Sequence, residues 1–274
     1  MNPINYWRDS MRILRQVWRH RELTLVMAKR EFMDRYAGQV FGVYWGIAHP
    51  LLIMGVFLFL FGSIFRARIG GSVDIPFGYT MYLFSGMIPW LTFQEVLNKS
   101  PLAVTTNSNL VRQVIFPLEV LPVKVVLGSM PGQLVSTLFM MIYAIVSYRF
   151  LPWTYLLLPV LLVLEFFLAV GAAFLLSAFG VFLKDTKDFV QFFTFVGIYL
   201  SPIVFLLEWV PEGFRPIIHA NPLSHMIWCF QDACYFGRIE HPISWMVFIG
   251  FSSLVFITGA RLFTRLKTQF GNYL

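Results

Sequence analysis

The chain has 274 residues, 58% of them hydrophobic and 13% charged, about half the roughly 25% charged share of soluble domains. That composition excludes an ordinary soluble protein, and 30 Phe, 11 Tyr and 8 Trp exclude a disordered one, because disorder needs few apolar residues and high charge. The net charge of +7 calls for no nucleic acid, since basic residues accumulate in the cytoplasmic loops of membrane proteins during insertion.

In the first forty residues, Trp7, Met11, Leu14 and Trp18 recur at intervals of four, three and four, with Arg8, Arg12, Arg15 and Arg19 elsewhere around the turn. Leu25, Ala28, Phe32 and Tyr36 repeat the pattern beside Lys29, Arg30 and Arg35. This periodicity predicts amphipathic helices lying in the membrane interface, so that residues 1–40 form a cytoplasmic interfacial segment. The basic faces have two readings: contact with an anionic headgroup or partner, or simple anchoring. Gly38 and Gly42 offer a joint where the chain turns from the surface into the membrane.

A membrane-crossing helix needs about 20 mainly apolar residues. Six stretches qualify, at about 41–65, 79–98, 125–148, 154–183, 189–207 and 243–260, with Glu95 and Glu165 their only Asp, Glu, Lys or Arg. The first is too long for a signal-peptide core and predicts a retained span. A shorter run, Pro216 to Phe230, holds Pro216, Pro222, His219, His225 and Asn221; it predicts re-entrant helices in a gate region at about 211–236. With six spans and a cytoplasmic N-terminus, 16 of the 21 Lys and Arg lie inside, against 14 if that run were a seventh span. The expected fold is therefore an all-α polytopic membrane protein: six transmembrane helices over 41–274, an interfacial N-terminal helix, re-entrant helices before the last span, and both termini cytoplasmic.

The chain has no phosphate loop, for the dipeptide Gly-Lys never occurs, and neither H-E-x-x-H nor G-x-S-x-G is present. By itself it is no familiar ATPase, zinc protease or serine hydrolase. Asp185 and Asp188 in Lys-Asp-Thr-Lys-Asp have two readings. They could hold Mg²⁺ in an intramembrane enzyme acting on polyprenyl diphosphates, or cap the next helix. Glu165, mid-span, is either the acid of a proton-coupled transporter or a neutral acid hydrogen-bonded to another helix; with no second intramembrane acid to relay protons, the latter is favoured. Lys124 could pair with Glu119 or snorkel to the membrane edge. Cys229 and Cys234, five apart, make neither a disulfide framework nor a metal set. Trp90, Phe93, Tyr82 and Tyr199 fall in or beside spans near the outer side, as an interfacial belt or as the lining of a path on which sugar C–H faces stack.

The stretch from Leu23 to Phe65, with Lys29-Arg30-Glu31, Arg35-Tyr36, Gly42, Trp45 and Pro50-Leu51, resembles the start of the first span in ABC-2 type permeases that export bacterial polysaccharides. Three blocks agree in order: Leu83 to Trp90; Asn109-Leu110-Val111 leading to Phe116-Pro117-Leu118-Glu119; and Lys184-Asp185, then Ser201-Pro202-Ile203 and Asn221-Pro222-Leu223. The resemblance implies a bacterial inner-membrane subunit working as two copies with two ABC ATPase subunits. It implies that no cofactor, metal or catalytic residue belongs to this chain and that ATP and Mg²⁺ sit on the partner. It implies an ATPase-docking loop with Asn107, Asn109, Leu110, Val111 and Arg112, and a periplasmic gate with Pro211, Arg215, Asn221 and Pro222. For a lipid-linked polysaccharide such as O-antigen, Lys29, Arg30 and Arg35 are the cations nearest to where the diphosphate would enter. An ABC-2 permease for a drug or ordinary lipid is the alternative that the same fold would serve.

Overall fold

The computed structural model describes residues 4–64, 78–111 and 116–273, which form helices and turns with no strand among them. Two helices come first, α1 (Ile4–Arg19) and α2 (Arg21–Asp34), followed by α3 (Trp45–Phe57), which continues as a π-helical stretch to Ile64. Next are α4 (Tyr79–Lys99), the four-residue α5 (Ser108–Val111), α6 (Val120–Tyr148), α7 (Leu158–Phe182) and α8 (Thr186–Gly197). The chain ends with α9 (Arg215–Ala220), α10 (Pro222–Gln231), α11 (Pro242–Leu266) and α12 (Phe270–Tyr273).

Among the described residues, four helices are long and apolar enough to cross a membrane: Gly42–Phe61, Val120–Tyr148, Trp153–Phe182 and Pro242–Tyr273. They contain α3, α6, α7 and α11. Helix α4 has 21 residues, 16 of them buried. At 1.5 Å per residue it is about 31 Å long, enough to cross. Most of it is buried within the bundle, so it need not be as apolar as a helix facing lipid.

The stretch predicted as a span at 189–207 is not one helix. Helix α8 has 12 residues, about 18 Å, short of the roughly 30 Å hydrocarbon thickness. Pro202 lacks an N–H and biases Ser201 toward extended backbone, which ends the helical run. Residues 198–206 continue along α4 as turns.

Helices α7 and α11 pack backbone to backbone. A Cβ on Gly259 would lie 2.2 Å from the Gly171 carbonyl oxygen, so only glycine permits this approach, as in other small-residue crossings. Helix α1 turns Ile13 inward, beside α11, and leaves Met11, Leu14 and Trp18 exposed. Gly38 and Gly42 take φ of +78° and +49° at the joint into α3, a conformation that favours glycine.

Helix α2 corrects the expected amphipathic pattern. It packs on α6 through Thr24 and Ala28, while Leu25, Val26 and Met33 are exposed. Small and polar groups face α6 where it approaches closely, while Met27 packs on the core and the Phe32 ring lies over Gly46.

Candidate docking and gate sites

At the end of the bundle that carries α2, the chain leaves α4 through two short 3₁₀ turns, Ser100–Leu102 and Thr105–Asn107, into α5. The Ser100–Leu102 turn is seated on α7: a Cβ on Gly180 would lie 2.0 Å from the Pro101 carbonyl oxygen. The docking residues expected from sequence divide on this scaffold. Asn109 is exposed, as are Thr106 and Leu102, about one and two turns earlier. Asn107 turns inward instead: its Nδ2 donates to the Ala103 carbonyl at 2.9 Å, and its Oδ1 lies 3.5 Å from Lys124 Nζ. Leu110 packs against the core. Arg112 and the side chain of Val111 lie outside the described residues.

Charged groups converge beside this segment. Arg35 pairs with Glu95 and donates to the Gly128 carbonyl at 3.2 Å, and Lys99 reaches the same Glu95 at 2.8 Å. Lys124 pairs with Glu31 at 3.1 Å, and Glu119 pairs with Lys267. Glu119 is therefore not the partner of Lys124. Nor is Arg35 an open cation for a substrate headgroup, because Glu95 holds it. Lys29 and Arg30 are exposed, Arg30 pairing with Asp34 one turn on at 3.3 Å.

At the opposite end, the turns at 198–206 release backbone carbonyls that the helix would have used, and side chains from two helices take them up. Tyr79 donates to the Val204 carbonyl at 2.5 Å; the Tyr82 hydroxyl lies 3.0 Å from the Pro202 oxygen and 2.9 Å from that of Phe205. Gln231 Nε2 donates to the Pro202 oxygen at 2.7 Å, and Asn221 Nδ2 to the Leu200 oxygen at 3.3 Å. Buried non-helical backbone is tolerated in a membrane protein only when it is satisfied in this way.

Tyr82 is thus a buried donor, and Trp90 and Phe93 are buried too, Trp90 lying against Gly197. The structure buries all three rings among the described residues. Only Tyr199 presents its ring outward, together with Phe189, Phe192 and Phe195 of α8.

Of the expected gate residues, Asn221 touches these turns, at Leu200 and Ser201. Asn221 caps α10, its Oδ1 accepting from Leu223 N at 3.0 Å, with Pro222 in the first helical position. Arg215 donates to the Val210 carbonyl at 2.9 Å, and Pro211 is exposed. Asp232, fully buried, accepts from the backbone N–H of His241 and from Trp245 Nε1, both at 3.0 Å, and pairs with His241 Nδ1 at 2.8 Å. Sequence reasoning missed Gln231 and Asp232. Their signal is an amide and an acid adjacent within an apolar run.

Two rival chemistries can be placed. Asp185 and Asp188 are both exposed at the start of α8, where acidic groups favour a helix N-terminus. Among the described residues, no group of three or more His, Cys, Asp or Glu is disposed to hold a metal. Glu165 is buried in α7 and accepts a hydrogen bond from Gln133 of α6. Cys229 and Cys234 are free and buried.

The sequence profile of the ABC-2 type transporter family matches residues 22–235. The O-antigen export system permease protein RfbA of Klebsiella pneumoniae is 28% identical over 258 residues, covering 92% of this chain and 95% of that protein. RfbA of Myxococcus xanthus is 23% identical over 262 residues, 95% of this chain and 98% of the relative. The polysialic acid transport protein KpsM of Escherichia coli is 23% identical over 235 residues, 85% and 89% respectively. The matched region runs from α2 through the turns after α4 and those at 198–206 to Tyr235, and on that extent the chain belongs to the ABC-2 type transporter family.

Proposed function

We propose that this chain is the membrane-spanning permease subunit of an ATP-driven exporter that moves a polysaccharide, such as a polyprenyl-linked O-antigen, across the bacterial inner membrane. The observation that carries the reading is its end-to-end similarity to O-antigen export permeases, over 92% of the chain in one case and 95% in another. Two copies form the channel, each supplying one half. Two separate ATPase subunits bind ATP and Mg²⁺, which accords with the absence of a phosphate loop here. Six segments cross the membrane, the fifth being α8 with the turns after it, and both termini are cytoplasmic, so the end bearing α2 faces the ATPase. Leu102, Thr106 and Asn109 form the docking face, and the turns at 198–206 with α9 and α10 form the outer gate.

Co-expression with the candidate ATPase and affinity purification in detergent test this reading. The two subunits should elute together, and the pair Leu102→Arg and Asn109→Arg should release the ATPase while leaving the permease folded. Export of lipid-linked glycan by the purified chain with no ATPase would overturn the assignment.

A further inference from the structure

Lys124 is a charged residue near the start of a long apolar helix, and it is only 8% exposed. Burying an ammonium costs several kcal/mol unless partners are supplied. Two are: the Glu31 carboxylate of α2 at 3.1 Å and the Asn107 amide oxygen of the docking segment at 3.5 Å. One ammonium therefore joins three elements far apart in sequence. Asn107 is itself fixed to its turn through Ala103 and Thr106. On the other side, α2 is fixed to α6 and α4 by Arg35, which bonds the Gly128 carbonyl and Glu95.

We propose that Lys124 is a positioning residue that transmits displacement of the ATPase-docking segment to the interfacial helix α2. The route is Asn107 to Lys124 to Glu31. If the ammonium follows one acceptor and leaves the other, the Lys124 charge, whose side chain is only 10% exposed, keeps one partner where it had two. A push on the docking segment is thus carried into α2 and, through Arg35 and Glu95, back to the end of α4. Helix α2 then moves with the nucleotide cycle instead of serving as a passive anchor. This inference rests on the exporter reading, since it gives the docking segment an ATPase to follow.

The test uses the complete permease–ATPase complex in proteoliposomes and reads glycan transported per ATP hydrolysed. Co-purification and ATPase turnover are recorded for every variant. Glu31→Gln, which preserves shape and removes the charge, should lower the transport-to-ATP ratio about tenfold, within the usual range of coupling between sites. Lys124→Arg, which retains a cation with donors for both partners, should stay within about twofold of wild type by the same measure. The exchange Glu31→Lys with Lys124→Glu should recover most of the ratio lost in Glu31→Gln. A purely structural role would lower yield and thermal stability while leaving the ratio unchanged, and that result overturns the proposal. So does an exchange variant that assembles and hydrolyses ATP but stays uncoupled. Failure of the wild-type chain to retain an ATPase at all would instead count against the exporter reading.

Discussion

Glu165 and Gln133 allow a quantitative test of how a carboxyl group is accommodated within the helical bundle. Both are buried, on facing helices, and one oxygen of each lacks a hydrogen-bond partner, Glu165 Oε1 and Gln133 Oε1. An ionised carboxylate would keep a buried Oε1 with no donor beside it. The expected arrangement is a neutral acid: Gln133 Nε2 donates to one carboxyl oxygen, and an O–H on the other that donates to Gln133 Oε1 would close a two-bond ring. Glu165→Gln places an N–H where the O–H stood and should change stability by less than about 1 kcal/mol. Gln133→Leu strands the acid and should cost about 1–3 kcal/mol. Replacing both by Leu removes donor and acceptor together and should restore most of that loss, a non-additivity that a double-mutant cycle measures. Thermal unfolding in a fixed detergent reports the cycle, and the infrared C=O stretch of a protonated carboxyl, absent in Glu165→Gln, reports the proton. If Glu165→Gln costs as much as Gln133→Leu, the charge itself is required and the neutral-ring argument fails. Transport that loses its response to a pH gradient in Glu165→Gln would revive the proton-coupled reading.

Two further predictions concern backbone contacts. Gly180→Ala puts a methyl group about where the Pro101 carbonyl oxygen sits, 2.0 Å away, and should destabilise the protein by about 1–3 kcal/mol. The control Gly250→Ala on α11 meets open space and should be neutral or slightly stabilising, as thermal melts will show. Asn221→Ala removes the α10 cap together with the donor to Leu200, and should cost about 0.5–2 kcal/mol. Asn221→Asp keeps the cap acceptor and loses only that donor, so it should unfold at an intermediate temperature, and an equal loss in both would assign the whole effect to the tie with the broken span.

The long segments were legible because lipid imposes length and apolarity on whatever faces it, as α3, α6, α7 and α11 show. Hydropathy could not reveal that residues 189–207 break after Gly197, because Pro202 lowers the average little yet removes the hydrogen bond that would continue the helix. The signal was the Ser201-Pro202 pair. For Tyr82 and Trp90 the sequence leaves both an interfacial belt and a path lining open, because an aromatic ring near the outer side has several uses. What decides among them is a carbonyl 120 residues away for Tyr82 and the small Gly197 for Trp90. In the docking segment, turns of three or four residues have no period from which to read a face. Asn107 and Asn109 look equivalent in sequence and point in different directions in the fold.

The two ends of the bundle are held by different kinds of contact, and the difference bears on which end opens more readily. Near α2, Arg35, Glu95, Lys99, Lys124, Glu31, Glu119 and Lys267 form ion pairs that are mostly half-buried or better. Because most of these partners keep some contact with solvent, separating a pair costs less than the ~3–5 kcal/mol of a fully buried one and more than the ~0–1 kcal/mol of a surface one, so these elements favour moving together. Around the turns at 198–206, the ties are neutral hydroxyl and amide donors on backbone carbonyls. Each contributes about 0.5–1.5 kcal/mol net, because water can replace the donor. On the proposed exporter reading, a displacement entering at the ionic end would meet weaker, neutral ties at the opposite one. There, water entering beside Tyr79, Tyr82, Gln231 and Asn221 can take over the carbonyls one at a time. Helix α4 spans the distance between the ends, carrying Glu95 and Lys99 near one and Tyr79 and Tyr82 near the other, so a shift of this helix acts on both.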